Sequence, residues 1–507
     1  MNAFFRLGFA SLVCSLGLGV FATPAEAGGP SGTATTVVNV RQGTPLATLS
    51  DGWGTSLCWW ANQFGNGPEA DALADICFTT KTVAWQGNPL PGLGFTVIRY
   101  NVGGGGGGAS IGNTVENVSP NMPLAKNIRG YWLNWFSGDP TSNSWNWFVD
   151  SNQRNMMWHA RDRGVGAIEF FSNSPMWWMC DNHSTAGSDS GGENLQAWNH
   201  DQHAFYMASV VAYANKNWGV HVDSVEAFNE PSGYWWKYPS NQEGCSITPK
   251  TQDSVAGSLR QQLNKLGQGG VGVSASDENE VRTALSTWNQ FSPATKAGVA
   301  KINTHGYGQP SDNGGNRAPL QAAAASSGKK LWMSEYGDGD SSGSTMAGCV
   351  VQDLNILRPS AWVYWQALDG YGWGLLNCDL VGNTIGGPSR KYFALAQFSR
   401  HIRPGDQVVS NSTVDGGAPT TVVSRAADGK SLAIITVNKG PAQFFQYNLG
   451  SGLTPTSVSA WATTFTPGGT TPDLLYAPVR AASLKPAGAV TAYLQANSVT
   501  TIEVIGN

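Results

Sequence analysis

The sequence predicts an α/β protein that consists of a (β/α)8 TIM barrel and a β-sandwich side domain. Between residues 49 and 402, short apolar segments recur, and each is followed by a polar or aromatic loop and then, in most cases, a helical pattern. From residue 403 to residue 507, alternating strand patterns are separated by Gly, Pro and Thr turns, without a helical pattern. The first pattern predicts the barrel and the second predicts the side domain.

Eight apolar segments are the predicted barrel strands. They end near DGWGTSL, GFTVIRYNV, VGAIEFFSNS, DSVEAFNEP, GVGVSASDE, KINTHGYG, KLWMSEYG and AWVYWQ. One intervening helix, QHAFYMASVVAYANKNWG, repeats Ala204, Ala208, Val211 and Ala214 on one face. Asn, Glu, Trp, Tyr and His accumulate at the strand ends, which is where barrels of this class carry their chemistry.

Both ends of the mature chain are predicted to share the side domain. The segment TTVVNV, within residues 28–48, carries β-branched residues typical of a strand. We expect this strand to join residues 403–507 in one β-module.

The first 27 residues have the layout of a secretory signal peptide. Arg6 precedes a short apolar run, and the small-residue sequence AEA ends at Ala27. The alternative, a membrane anchor, is disfavoured because serines and glycines interrupt the run. We therefore expect a secreted, extracellular protein without a membrane partner.

The composition argues against a nucleic-acid partner. Only 13% of the residues are charged and the net charge is −4, so no basic surface is expected to hold phosphates. The abundance of Gly and Trp, together with uncharged polar residues, suits a protein that handles neutral polar ligands.

The cysteines predict disulfides rather than a metal site. Removal of the signal peptide takes Cys14 away and leaves six of the seven cysteines, an even number in an exported chain. Cys58 and Cys77 flank one predicted helix and are candidates for a local pair. The cysteines form no CxxC pair, and His200 and His203 lack the HExxH pattern, so neither a metal nor a cofactor is expected.

The strongest candidate for chemistry is Glu230 in EAFNEPSG, at the end of the fourth predicted strand. A carboxylic acid beside Asn229 in an aromatic loop has the partly desolvated surroundings that a general acid needs. The alternative is a glutamate that caps a helix.

A second candidate is Glu335 in LWMSEYGDGD, at the end of the seventh predicted strand. The ends of strands four and seven face each other across the mouth of such a barrel. Two carboxylates placed there can flank a glycosidic bond, one as acid/base and the other as nucleophile.

These motifs together resemble glycoside hydrolase family 30. The segments DGWGTSLCWWAN, RYNVGGG, SNSPMWWM, FNEP, SEYG and the C-terminal NSVTTIEV all match the family pattern, over nearly the whole mature chain. The endo-β-1,6-galactanase branch is the most similar. This resemblance implies that Glu230 is the acid/base, Glu335 the nucleophile, and β-1,6-linked galactan of arabinogalactan the polysaccharide substrate.

Several neighbours of the two glutamates are expected to support catalysis. Arg99, at the end of strand two, is expected to hold Glu335 ionised, and Asn229 to bond the sugar 2-hydroxyl. His305 and Tyr307 end strand six, and Tyr307 is expected to orient the nucleophile. For Arg99 the alternative is a structural salt bridge elsewhere in the barrel, and for His305 and Tyr307 it is plain packing.

Aromatic and amide side chains around the predicted mouth are candidates for sugar contacts. Asn173, Trp177 and Trp178 follow strand three, and Trp365 ends strand eight.

Three tryptophans near the end of strand one are further candidates. Trp53 is expected to pack in the barrel. Trp59 and Trp60 are expected to bind substrate, although an extended segment would send only one of them into the cleft.

Two other functions remain open from the residues alone. The same chemistry can act on β-1,6-glucan, a xylan or a glucosylceramide, and a barrel without activity can serve as a carbohydrate-binding protein. We expect a monomer.

Overall fold

Eight parallel strands close into the predicted barrel in the computed structural model of the chain, which describes residues 32–308, 315–485 and 488–507. The predicted signal peptide lies outside the described residues. Barrel strands 1 to 8, in chain order, are Gly52–Ser56, Val97–Asn101, Ala167–Phe171, Ser224–Glu226, Gly272–Glu278, Val299–His305, Lys330–Tyr336 and Ala361–Gln366. Strand 8 pairs with strand 1, which closes the barrel.

Helices follow each of the eight barrel strands and cover the barrel. In chain order they are Trp60–Phe64, Ala70–Phe78, Ser151–Asp162, His200–Asn217, Pro249–Lys265, Val281–Gln290, Pro293–Gly298, Arg317–Ser326, Ser344–Gln352 and Arg390–Ser399. The helix at Pro249 begins with a capping signal, because the hydroxyl of Thr248 accepts a hydrogen bond from the Thr251 N–H.

Ten strands form the side domain, as one continuous sheet whose two halves enclose a common core. They are Thr36–Thr48, Gln407–Asn411, Thr421–Arg425, Ser431–Asn438, Gln443–Asn448, Pro455–Thr464, Ala477–Pro478, Ala482–Leu484, Ala489–Leu494 and Ser498–Gly506. The N-terminal strand joins this sheet, antiparallel to Gln407–Asn411 and parallel to Gln443–Asn448.

The last barrel helix fixes the side domain to the barrel. Gln397 on this helix donates from Nε2 to Thr463 Oγ1 at 3.0 Å, and its carbonyl accepts from the Thr501 hydroxyl at 2.9 Å. Arg390 donates to the Thr464 carbonyl at 2.9 Å. These contacts anchor the strands Pro455–Thr464 and Ser498–Gly506 to the barrel.

The cysteine prediction is wrong in this structure, because all six described cysteines are free, buried thiols. Cys58 and Cys77 do not pair, since they belong to two different packed clusters. Cys58 lies at the barrel mouth, whereas Cys77 lies in the helix Ala70–Phe78, where burial raises the pKa of its thiol to about 12.

Across the described part of the chain, no helix combines the length and the apolar character that a membrane span requires.

Trp53 packs inside the wall of the barrel and carries part of its stability. Its indole N–H donates to the Ile402 carbonyl at 2.7 Å, and its ring lies 5.9 Å from that of Trp362 and 6.3 Å from that of Phe398. Trp53 therefore joins strand 1 to strand 8 and to the last helix.

We expect Trp53→Ala to lower the free energy of unfolding by about 3–5 kcal/mol, because it leaves a cavity and an unpaired carbonyl. Urea denaturation followed by circular dichroism measures this change. Trp198→Ala is the matched control, since Trp198 is 71% exposed, and we expect it to change stability by less than about 0.5 kcal/mol. Equal losses for the two variants would contradict this role of Trp53.

Candidate active site

A cleft of about 950 Å³ opens at the C-terminal ends of the barrel strands. Its lining contains Trp59, Lys126, Asn173, Asn229, Glu230, Trp235, Asn279, Tyr307, Glu335, Trp365, Asp369, Tyr371, Trp373 and Asp379. These residues come from the ends of all eight strands and the loops that follow them, so the cleft spans the whole barrel mouth.

Glu335 is held by a donor on each carboxylate oxygen. The Tyr307 hydroxyl donates to Oε1 at 2.7 Å, and Arg99 donates from Nη1 to Oε2 at 2.7 Å. Burial raises the pKa of Glu335 above its ordinary value, while the cations of His305 and Arg99 oppose that rise. The two donors also fix the plane of the carboxylate.

Glu230 lies just beyond strand 4 in a left-handed backbone conformation, with φ 47°. This conformation is costly for a residue with a side chain. Two hydrogen bonds hold it: the Glu230 N–H donates to the Asp277 carbonyl at 2.9 Å, and the Trp236 indole donates to the Glu230 carbonyl at 2.9 Å. The backbone therefore aims the Glu230 side chain into the cleft.

The two glutamates face each other closely. One oxygen of each carboxylate and a ring nitrogen of His305 all lie within 4.8 Å of one another. His305 Nδ1 is 3.2 Å from Glu230 Oε1 and 3.4 Å from Glu335 Oε1.

His305 is a cation in this setting. Burial alone would lower its pKa, but the carboxylates of Glu335 and Asp277 raise the pKa of His305 to about 10. Its Nε2 lies 3.2 Å from Asp277 Oδ1, so both ring nitrogens face carboxylates.

Beneath the cleft, Arg99 sits at the centre of a buried charge cluster. It contacts Glu169 through Nε at 3.3 Å and also forms an ion pair with Asp277. Lys301 lies 2.7 Å from Glu169. Although burial opposes ionisation, Arg99 and His305 lower the pKa of Asp277 to about 2. Asp277 is therefore an anion that balances the cations around it.

Five of the residues predicted to bind substrate line the cleft: Trp59, Asn173, Asn229, Tyr307 and Trp365. Two of them carry a buried polar atom without a hydrogen-bond partner among the described residues, namely Trp59 Nε1 and Asn229 Oδ1. A buried polar atom that lacks a partner is costly unless a ligand or water supplies one. A bound sugar could therefore supply the hydrogen-bond partners that these two atoms lack.

Two predicted sugar contacts need correction, because both tryptophans pack inside the protein. Trp60 is the first residue of a helix, is fully buried, and donates from its indole to the Ser56 carbonyl at 2.8 Å. Trp178 donates to the Trp132 carbonyl at 2.9 Å and packs edge-on against the Trp132 ring. The neighbouring Trp177 is fully buried as well.

Arg99 and His305 were also expected among the substrate-binding residues, and the structure places them behind the cleft. Both side chains are fully buried and directed at carboxylates. They act on the glutamates and do not reach a sugar.

The prediction missed several residues at the site. Asp277 lies near the end of strand 5 and Asn279 directly follows that strand, in SASDENE, and this polar cluster at a strand end was a usable signal. Lys126, Asp369 and Trp373 lie in the segments that connect barrel strands to the following helices, and these segments carry no periodic pattern that could have placed them.

Comparisons with known proteins agree with this geometry. A family model described as O-Glycosyl hydrolase family 30 matches residues 36–289. An endo-beta-1,6-galactanase of Hypocrea rufa is 44% identical over 82% of this chain and 84% of its own length. An exo-beta-1,6-galactobiohydrolase of Bifidobacterium longum is 25% identical over 78% of this chain and 34% of its own length.

A solved structure supports the fold. The catalytic domain of a family 30 xylanase C from Talaromyces cellulolyticus has a TM-score of 0.67 and 22% identity, over 93% of this chain and 100% of that one. With the barrel, the paired carboxylates and these matches in place, the chain belongs to O-glycosyl hydrolase family 30 and is a glycoside hydrolase.

Proposed function

We propose that this protein is a retaining endo-glycosidase that cleaves β-1,6-galactan. The observation that carries the mechanism is the separation of the two carboxylates, whose nearest oxygens lie within 4.8 Å. Retaining enzymes place their carboxyl groups about 5–5.5 Å apart, whereas inverting enzymes leave about 6.5–9.5 Å for a water molecule.

In the proposed reaction Glu335 is the nucleophile. Its carboxylate attacks the anomeric carbon while Glu230 gives a proton to the departing glycosidic oxygen. Glu230 then takes a proton from water, the resulting hydroxide displaces Glu335, and the anomeric configuration is retained. Tyr307 and Arg99 support this role, because their hydrogen bonds to Glu335 fix the oxygens for attack.

The substrate assignment draws on the relatives and on the cleft. The relative at 44% identity is named an endo-beta-1,6-galactanase, and the cleft combines aromatic faces with uncharged amides, which suit a neutral sugar. The substrate we propose is the β-1,6-galactan of arabinogalactan side chains. The proposal includes export after removal of residues 1–27, and action as a monomer outside the cell.

A substrate panel tests the sugar and the stereochemistry. We expect hydrolysis of de-arabinosylated arabinogalactan to internal-cleavage products, with much slower or no cleavage of β-1,6-glucan, xylan and glucosylceramide. Proton NMR of the first-formed product should show the β-anomer. Faster cleavage of β-1,6-glucan would overturn the substrate, and an initial α-anomer would overturn the mechanism.

Replacement of the two glutamates tests their roles. We expect Glu335→Gln to lower kcat by about 10⁴-fold or more, because an amide is a poor nucleophile. Glu230→Gln should lower kcat by about 10²–10⁴-fold for substrates with a poor leaving group. Glu69→Gln is the control, since Glu69 is exposed outside the cleft, and it should leave kcat unchanged. Substantial activity in Glu335→Gln would exclude this nucleophile.

His305→Gln tests the electrostatic environment of the nucleophile. The His305 cation lowers the pKa of Glu335 against the effect of burial, so its removal should raise that pKa. Glu335 must be ionised to attack, so the acidic limb of the kcat/KM profile should move to higher pH by about one unit. His221→Gln, at an exposed position, should leave the limb in place. An unchanged limb in His305→Gln would contradict this coupling.

A further inference from the structure

Lys126 lies in the cleft with an ammonium group that the protein does not satisfy. It ends the short 3₁₀ helix Leu124–Lys126 in the loop after barrel strand 2, and its Nζ lies 3.9 Å from the centre of the Trp59 ring. Among the described residues, Nζ has no hydrogen-bond acceptor and no ion-pair partner. Three N–H donors are therefore available beside the cleft.

Trp59 brings a second unused donor to the same place. Its indole Nε1 is buried and has no acceptor in the described part of the chain. Trp365 packs edge-on against the Trp59 ring, with the centroids 5.1 Å apart. The two tryptophans and Lys126 come from barrel strands 8, 1 and 2, which are adjacent in the barrel.

Hydrogen bonds fix this corner of the cleft in position. The Trp59 backbone N–H donates to Gln366 Oε1 at 3.1 Å, and Gln366 Nε2 donates to Asp369 Oδ2 at 2.7 Å. On the other side, Asn62 Nδ2 donates to the Ala125 carbonyl at 2.9 Å, which anchors the loop that carries Lys126. The unused donors therefore belong to a preformed site.

The charges around the site indicate which acceptor it takes. Four acidic residues line the cleft, namely Glu230, Glu335, Asp369 and Asp379, against the single lysine. These carboxylates would repel an anionic substituent on the ligand. A neutral hydroxyl oxygen can accept a hydrogen bond from the Lys126 ammonium without this repulsion.

We propose that Lys126 and Trp59 form a sugar-binding subsite, in which Lys126 Nζ donates a hydrogen bond to a hydroxyl of a neutral sugar ring. The subsite lies on the side of the cleft formed by strands 8, 1 and 2, next to the carboxylate pair. This inference rests on the proposed glycosidase function and adds a specificity-determining residue to it.

The test measures binding without turnover. In a Glu335→Gln background, isothermal titration with β-1,6-galactotetraose gives a Kd, and we expect Lys126→Met to weaken that Kd on the order of tenfold. Methionine keeps an unbranched chain over the Trp59 ring but has no donor. Lys81→Met, at an exposed position outside the cleft, is the control and should leave Kd unchanged.

Deoxygenated ligands separate a hydrogen bond from a packing effect. If Lys126 contacts one hydroxyl, the tetrasaccharide that lacks this hydroxyl should bind Lys126→Met and the parent equally well, which is a non-additive double-mutant cycle. The inference would be overturned if the losses of binding free energy from Lys126→Met and from removal of a hydroxyl add fully at every hydroxyl. An unchanged Kd in Lys126→Met would overturn it as well. Should Lys126→Met fail to fold, Lys126→Leu serves the same cycle, because leucine also has an apolar side chain without a donor.

The outcomes also distinguish this inference from the proposed function. If the unmodified protein cleaves no β-1,6-galactan, the proposed function fails irrespective of Lys126. If cleavage requires Glu335 but Lys126→Met leaves both Kd and KM unchanged, only the subsite fails. If Lys126→Met loses more affinity for a uronate-capped tetrasaccharide than for the neutral one, Lys126 binds a carboxylate, and the inference of a neutral hydroxyl is overturned.

Discussion

The active site depends on one guanidinium group at the axis of the barrel. Arg99 reaches three buried carboxylates, those of Glu169, Asp277 and Glu335. A buried charge without a partner costs several kcal/mol, so each carboxylate can stay ionised there only because a cation is fixed beside it. Glu335 is thus the member of this charge cluster that lines the cleft.

This cluster divides the barrel mouth into two layers. The inner layer pairs cations with carboxylates, with Arg99 and His305 directed at acidic side chains. The outer layer exposes aromatic faces and contains polar atoms without partners, such as Trp59 Nε1 and Asn229 Oδ1. The cations of the inner layer act on the pKa of Glu335, and the outer layer is complementary to a ligand that has both flat apolar faces and hydroxyl groups.

The barrel and its two glutamates could be predicted from the sequence because both depend on local patterns. Apolar segments mark the eight strands in the sequence. Glu335 lies near the end of the seventh strand, and Glu230 lies just beyond the fourth. The direction of Trp60 could not be predicted, since it depends on a helix that begins at that residue. Lys126 escaped prediction because it lies between residues 102 and 150, in a loop without periodicity, and its importance comes from a ring elsewhere in the chain.

The strand Thr36–Thr48 has a consequence for how the molecule assembles. It pairs with Gln407–Asn411 and with Gln443–Asn448. This strand therefore cannot pair until those two much later segments have been synthesised. Contacts of such large sequence separation carry a high loop-closure cost and slow folding. The sheet of the side domain therefore cannot be completed until the strands between Gln407 and Gly506 have been synthesised, and we expect it to close after the barrel strands have emerged.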